Sequence, residues 1–251
     1  WDLKQTFKTL APYTLEEAYE VIDAIENENY GQLKEESGDL LFQVIFYAQL
    51  GKEQNLFDFE EIVSLLVKKL ISRHPHVFPE GTLISERQPG RAELNEQSIK
   101  DNWESIKQSE RKEKGQASIL DDIPLGLPAL TRATKLQKRA ARHGFDWPDI
   151  QGVLDKVHEE THELNEAITG GEVDAIEEEL GDVLFTVVNL CRHLKVDAET
   201  ALRSSSVKFE QRINHIEERL HHQGKKMIDI PMEQLDELWT EAKFSARPKH
   251  P

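Results

Sequence analysis

Two groups of carboxylates with the same internal spacing are the residues in this sequence best suited to chemistry. In each group a Glu-Glu-x-x-Glu stretch is followed, after a gap, by a Glu-Glu-x-x-Asp stretch. Each carboxylate of one group lies 143 positions from its counterpart in the other, which predicts two copies of one acidic unit. The later group is Glu159, Glu160, Glu163, Glu178, Glu179 and Asp182, and the earlier group is Glu16, Glu17, Glu20, Glu35, Glu36 and Asp39.

The spacing within each group predicts a metal site between two helices. Residues three apart on a helix share a face, so Glu160 and Glu163 point one way, as do Glu179 and Asp182. Two antiparallel helices would bring these four carboxylates together, and their repulsion requires neutralising cations. Oxygen-only ligands favour Mg²⁺, with Mn²⁺ as a substitute. The predicted ligands are Glu160, Glu163, Glu179 and Asp182, and a second metal site is predicted at Glu17, Glu20, Glu36 and Asp39.

The alternative is that these acids are ordinary solvated helix faces, since glutamate is a good helix former. Glu17 could also belong to a capping box with Thr14 as the N-cap. Capping cannot explain Glu160, because the residue three positions earlier is Val157. The later acids also adjoin apolar Leu180 at the start of a largely apolar helix, which favours the metal site.

The elements that carry these acids are predicted to be helical throughout. The chain has only 13 Gly and 10 Pro among 251 residues, and apolar residues recur at helical spacing, so the predicted fold class is all-α. Aligning 14–44 with 157–187 needs no gap and gives twelve identities in thirty-one positions. The predicted helices are 14–26, 32–50, 59–73, 102–114, 129–142, 152–168, 175–194, 198–223 and 233–244.

The duplication predicts two domains joined by a linker. Gly115, Pro124, Gly126 and Pro128 make 115–128 the best boundary. The N-terminal domain is therefore predicted at 1–114 and the C-terminal domain at 129–251.

Composition excludes several classes of function. A formal net charge of −16 argues against a partner with a polyanionic surface, so neither nucleic acid nor a membrane is expected. A single cysteine, Cys191, rules out an intramolecular disulfide and fits a cytoplasmic location. No stretch has the length of a membrane span. A P-loop ATPase is excluded because no Gly-x-x-x-x-Gly-Lys-Ser/Thr occurs.

The acidic motif resembles the signature of the MazG family of nucleoside triphosphate pyrophosphohydrolases. It reads Glu159-Glu160-Thr161-His162-Glu163 with Glu179-Leu180-Gly181-Asp182, and the stretches 1–7, 73–78 and 144–147 also resemble bacterial tandem-domain members. The resemblance covers nearly the whole chain. It implies two tandem copies of a four-helix-type all-α unit, a homodimer, and Mg²⁺-dependent cleavage of NTPs and dNTPs to NMP and pyrophosphate. A house-cleaning or nucleotide-pool role is implied as well, together with a helix before Trp1.

The resemblance also assigns roles around the predicted metal ligands. Glu159 and Glu178 become candidates for orienting the attacking water. Phosphate-binding roles fall to Lys156, Lys208, Arg212 and Lys243, and Trp239 is expected against the base or ribose. Lys208 and Arg212 could instead pair with glutamates of their own helix, and Trp239 could belong to the core.

The two copies differ at one position that bears on phosphate binding. Where the second copy has Lys156, the first has Tyr13, and a phenol carries no positive charge at neutral pH. The C-terminal copy is therefore predicted to carry most of the turnover, with the N-terminal copy weakly active or inactive.

Two rival interpretations stay open at this point. A di-iron helical bundle would need Glu-x-x-His on two helices, but Tyr19 replaces His162 in the first copy. A catalytically silent regulator that binds nucleotides or another protein through its acidic face is the second rival.

Overall fold

The computed structural model describes residues 2–84, 95, 98–99, 102–103, 105–107 and 118–245 of the chain. The predicted all-α class is confirmed, because these residues contain helices and turns and no strand. Within the same residues, no helix is both long enough and apolar enough to cross a membrane. The α-helices are α1 (Phe7–Glu26), α2 (Tyr30–Glu53), α3 (Phe59–Arg73), α4 (Ala129–Arg142), α5 (Ile150–Gly170), α6 (Val173–His193), α7 (Ala198–His221) and α8 (Met232–Ser245).

The contacts within the chain separate it into two compact units, Trp1–Gly115 and Gln116–Pro251. In the first unit, α1 packs along α2, and α3 makes a smaller contact with α2. Most of the helix predicted at 102–114 lies outside the described residues, as does most of 79–97, where Gly81, Pro89 and Gly90 are typical of a loop.

Helix α1 begins seven residues before its predicted start, so the interpretation of Thr14 as an N-cap was wrong. Thr6 is the N-cap and forms a capping box with Thr9, while Thr14 lies inside the helix. The Thr14 hydroxyl instead lies 2.6 Å from the Tyr47 hydroxyl of α2. Phe7 stacks on Tyr47 with ring centroids 6.1 Å apart. This tertiary contact stabilises the first turns of α1, which precede Pro12. Glu17 therefore has no capping role.

Helix α3 begins at Phe59, as predicted, and a capping box marks its start. Asp58 accepts a hydrogen bond from the backbone N–H of Glu61, and the Glu61 side chain accepts one from the backbone N–H of Asp58. These two hydrogen bonds give partners to two backbone N–H groups at the helix start that have none within the helix.

In the second unit, α5 and α6 form a helix pair joined by the turn at Gly170-Gly171. Gly171 ends α5 in the left-handed conformation, with φ of 76°, which glycine adopts without a steric penalty. Helix α4 packs across α6, where Gln137 donates a hydrogen bond of 2.8 Å to the carbonyl oxygen of Phe185. These contacts hold in place the two helices that carry the later acids.

The buried apolar cluster of the second unit lies between α7 and α8. It consists of Ile216, Leu220 and Leu238, with Trp239 packed against its edge. Helix α6 leaves Leu180, Leu184 and Val187 exposed, and Leu41 of α2 is exposed in the same way. The part of the chain that the structure describes therefore leaves these apolar side chains of α2 and α6 uncovered.

Candidate functional site

The structure brings three of the four later metal-ligand candidates together. Glu160 of α5 and Glu179 and Asp182 of α6 place one carboxylate oxygen each within 4.8 Å of one another. Glu160 is buried, with 5% of its surface exposed, while Glu179 is half-buried and Asp182 is exposed. A buried carboxylate facing two others is not a solvated helix face.

The fourth predicted ligand, Glu163, lies outside this set of three but remains close to it. Partial burial raises the pKa of Glu179 above its usual value, and the charge of Glu163 is the next cause, followed by those of Asp182, Glu160 and Glu178. Glu178 thus lies within electrostatic range of the cluster. A bound cation would relieve the repulsion between Glu179 and these neighbouring carboxylates.

Lys156 faces the acids of its own helix. Its ammonium Nζ is 2.7 Å from Oε1 of Glu159 and 2.7 Å from Oε1 of Glu160. Its hydrogen bonds to Glu159 and then to Glu160 raise the pKa of Lys156 well above its usual range. The residue predicted to bind phosphate is therefore the counter-ion of two site carboxylates in this structure.

The earlier acids form a comparable cluster. Glu17 and Glu20 of α1 and Glu36 of α2 place oxygens within 4.8 Å of one another. Partial burial, followed by the charges of Glu36, Glu17 and Glu16, raises the pKa of Glu20. Asp39 lies outside this set of three and is exposed. Each unit thus has its own acidic cluster, but the three carboxylates that converge do not occupy the same positions of the repeat.

The other predicted substrate-binding residues lie on α7 and α8. The Arg212 guanidinium lies 5.0 Å from the centre of the Trp239 ring, and Phe209 flanks the same ring at 5.5 Å. Trp239 is half-buried against the core, whereas Lys208 and Lys243 are exposed. Among the described residues, no hydrogen bond or ion pair joins this group to the acidic cluster.

The first unit repeats this cation–aromatic pairing. The Lys107 ammonium lies 3.6 Å from the centre of the Trp103 ring, and Arg73 lies 6.0 Å from it. Trp103 and Lys107 are four residues apart, a spacing that places both side chains on one face of a helix. The arrangement is thus a shared property of the two copies.

A polar clamp that the sequence analysis did not identify holds the start of α5 against the end of α6. Arg192 donates two hydrogen bonds to the Asp146 carboxylate, one of them 2.9 Å long, and His193 Nε2 lies 3.0 Å from the same carboxylate. These hydrogen bonds, from Arg192 first and then His193, lower the pKa of Asp146 despite the opposing effect of burial. Asp146 is 46 residues from Arg192, so no local pattern reveals the pair.

The donor set of the later cluster suits a hard divalent cation. It offers carboxylate oxygens from two rigid helices, with one ligand buried and the others facing outward. Mg²⁺ and Mn²⁺ prefer this donor set, whereas zinc favours nitrogen and sulfur ligands. The second unit is therefore an all-α unit whose acidic cluster, formed across a helix pair, could bind a metal ion.

Comparison with known proteins identifies the family of this all-α chain. The family model described as the MazG nucleotide pyrophosphohydrolase domain matches residues 5–78 and 149–217, one segment in each unit. The chain is 47% identical to the nucleoside triphosphate pyrophosphohydrolase of Escherichia coli K12, over 97% of this chain and 89% of that protein.

Two further relatives extend the comparison. A Thermotoga maritima protein named nucleoside triphosphate pyrophosphohydrolase/pyrophosphatase MazG is 43% identical, over 97% of this chain and 88% of its own length. The nucleoside triphosphate pyrophosphohydrolase of Mycolicibacterium smegmatis is 38% identical over 58% of this chain and 42% of its own length. The chain belongs to the MazG nucleotide pyrophosphohydrolase family.

Proposed function

We propose that this chain hydrolyses nucleoside triphosphates, both ribo- and deoxyribonucleotides, between the α- and β-phosphates to give a nucleoside monophosphate and pyrophosphate. The observation that carries the proposal is the convergence of Glu160, Glu179 and Asp182 within 4.8 Å. Membership of the MazG family and the names of the relatives support it. The phosphates are common to all these substrates, so broad base specificity is proposed, with a role in removing unwanted nucleotides.

The acidic cluster is proposed to hold Mg²⁺ through Glu160, Glu179 and Asp182, with Glu163 close enough to contribute. When bound, Mg²⁺ would neutralise the polyphosphate and polarise the phosphorus under attack. Glu159 and Glu178, which flank the ligands, are the candidates for orienting the attacking water and accepting its proton. Glu159 is paired with Lys156, so this role requires that pair to open or rearrange.

The cationic side chains are proposed to bind the phosphates of the substrate. Lys208 and Lys243 are exposed on α7 and α8, and Arg212 lies over Trp239. A phosphate clamp of this kind orients the leaving pyrophosphate and offsets the charge that develops on it. Trp239 is proposed to contact the base or ribose with the part of its ring that the core leaves exposed.

The C-terminal unit is proposed to carry most of the turnover. The N-terminal unit has its own cluster of Glu17, Glu20 and Glu36, but Tyr13 stands where Lys156 pairs with Glu160. Without that cation, the N-terminal cluster is proposed to bind metal with weak or no catalysis.

A homodimer is proposed as the working form of the protein. Leu180, Leu184 and Val187 are spaced at i, i+4 and i+7 and so share one face of α6, where they are 47%, 54% and 39% exposed. A second copy that covers this face would remove apolar surface from water. Because α6 also carries Glu179 and Asp182, the second copy would bring its own side chains close to the acidic cluster.

The test is product analysis with isosteric variants. Glu160→Gln should lower pyrophosphate release by at least about 100-fold, since loss of a metal ligand exceeds loss of an outer partner. The matched variant Glu17→Gln should retain most of the activity. Products would be separated chromatographically for a panel of NTPs and dNTPs, with Mg²⁺ and with EDTA, and EDTA should abolish turnover.

Three results would contradict this assignment. Orthophosphate as the first product would contradict the cleavage position. Loss of activity in Glu17→Gln with retention in Glu160→Gln would move catalysis to the N-terminal unit. Nucleotide binding without any product would favour a silent regulator of the same fold.

A further inference from the structure

Lys156 forms an ion pair with Glu160, and a metal ion bound to Glu160 would compete with it. The lysine lies one helical turn before Glu160 on α5, and its ammonium is 2.7 Å from the Glu160 carboxylate. Glu160 is the most buried member of the later acidic cluster, with 5% of its surface exposed. The ammonium therefore caps the least solvated of the three candidate ligands.

A bound divalent cation and this ammonium repel each other. Lysine keeps its charge here, because its hydrogen bonds to Glu159 and Glu160 favour the protonated form. A cation shared by Glu160, Glu179 and Asp182 would lie within a few ångströms of the ammonium. Like charges at such a distance in a partly buried site are poorly screened.

A second carboxylate, that of Glu159, can bind the ammonium when it leaves Glu160. Glu159 is 56% exposed at its side chain and lies 2.7 Å from Lys156, outside the set of three acids. The lysine side chain is 31% exposed and has a flexible four-carbon stem. It can leave Glu160 without leaving the edge of the cluster.

We infer that Lys156 is a counter-ion that the metal displaces: it neutralises Glu160 in the metal-free protein, and metal binding breaks that pair and frees the ammonium to bind a substrate phosphate. The inference rests on the metal site of the proposed function and deepens it. Metal and nucleotide then bind cooperatively, because the first ligand releases the group that binds the second. By linkage, each raises the affinity for the other by the same factor.

Metal affinity without nucleotide tests the displacement. Mn²⁺ binding would be followed by the EPR signal of the free ion, in full-length protein carrying Glu17→Gln and Glu20→Gln so that only the later cluster is titrated. Lys156→Met should bind Mn²⁺ more tightly than this parent by about fivefold or more, since no ammonium has to be displaced. The gain should persist at 1 M salt, where the Debye length is about 3 Å and long-range effects of a lost charge vanish.

The matched control is Lys225→Met, which removes the same charge from the turn after α7 and should leave Mn²⁺ affinity unchanged at high salt. A second measurement uses α,β-methylene-ATP, a triphosphate that cannot be cleaved at the proposed bond. Mn²⁺ should strengthen its binding to the parent more than to Lys156→Met. Circular dichroism and thermal melting verify that each variant is folded, and Lys156→Gln provides an independent replacement.

The outcomes separate this inference from the proposed function. If Glu160→Gln leaves Mn²⁺ binding unchanged, the metal site is wrong and both fail. If Glu160→Gln weakens Mn²⁺ binding but Lys156→Met and Lys156→Gln do not tighten it, the displacement is wrong and the metal site stands.

Discussion

At the scale of single residues, Glu179 of the later acidic cluster carries a charge that its neighbouring carboxylates disfavour and that a bound metal ion would stabilise. Glu179 is half-buried, and four neighbouring carboxylates lie within electrostatic range of it. Its pKa is raised, so the native state binds its proton more tightly than the unfolded chain does. Stability therefore falls as the pH rises through the unfolded and then the folded pKa, and the metal-free protein carries the full penalty at neutral pH.

Glu179→Gln should consequently stabilise the metal-free protein while weakening metal binding. We expect a Tm higher than that of the unmodified chain at pH 7, in EDTA and low salt, because the repulsion is removed. The difference should vanish below about pH 4, where the carboxyl is protonated in both states. Thermal melts followed by circular dichroism across this pH range measure it.

The control for this prediction is Glu177→Gln, an exposed acid on the same helix. It should not reproduce the gain in Tm. A lower Tm for Glu179→Gln at neutral pH would show that the charge is already compensated in the native protein.

At the scale of the elements, the position of α5 depends on the segment that precedes it. Asp149 caps α5 by accepting a hydrogen bond from the N–H of Gly152. Trp147 packs so closely on this first turn that a Cβ atom at Gly152 would lie 2.4 Å from Cδ1 of its ring. Asp146 in turn is clamped by Arg192 and His193 of α6. The acids of α5 are thus aligned with those of α6 by packing at the other end of the pair.

Gly152→Ala should destabilise the protein although alanine is the better helix former. Replacing glycine in a helix gains about 0.5–1 kcal/mol. Overpacking against an aromatic ring costs about 1–3 kcal/mol, and this cost decides the sign. Urea denaturation of the second unit's transition, with tryptophan fluorescence as the probe, gives the free energy of unfolding.

Gly170→Ala is the matched control at the other end of α5, where an added Cβ atom meets no atom within 4 Å. It should be neutral or slightly stabilising. Equal losses in both variants would mean that the contact with Trp147 is not the cause.

At the scale of the whole molecule, the apolar surface left on α6 predicts self-association. Leu184→Arg places a charge in the middle of the exposed stripe and should convert the proposed homodimer to monomers. Size-exclusion chromatography with light scattering should give twice the 28.9 kDa chain mass for the unmodified protein and the chain mass for the variant. Burial of an unpaired charge in an apolar interface costs several times the thermal energy.

The control for the dimer is Ile228→Arg, which changes a residue that is 89% exposed in the turn before α8 and outside the stripe. It should remain dimeric. A monomeric unmodified chain, or a dimer that survives Leu184→Arg, would require another way of covering this face.

The sequence alone determined the fold class, the duplication and the identity of the acids. Helical periodicity is a local property, and the starts of α3 and α4 follow from it closely, within a residue of their predicted positions. Comparison of the chain with itself revealed the repeat of 143 positions, and the repeat identified the carboxylates without knowledge of any contact. The family membership also follows from the sequence, because the family model matches residues 5–78 and 149–217.

Tertiary structure decided which of these local signals apply. Thr14 and Thr6 both precede residues that suit a capping box, and the stacking of Phe7 on Tyr47 supports the earlier start. The same holds for Lys156, whose type suggested phosphate but whose ammonium lies against Glu159 and Glu160. Which groups face each other depends on how helices pack, and packing joins residues that no local pattern relates.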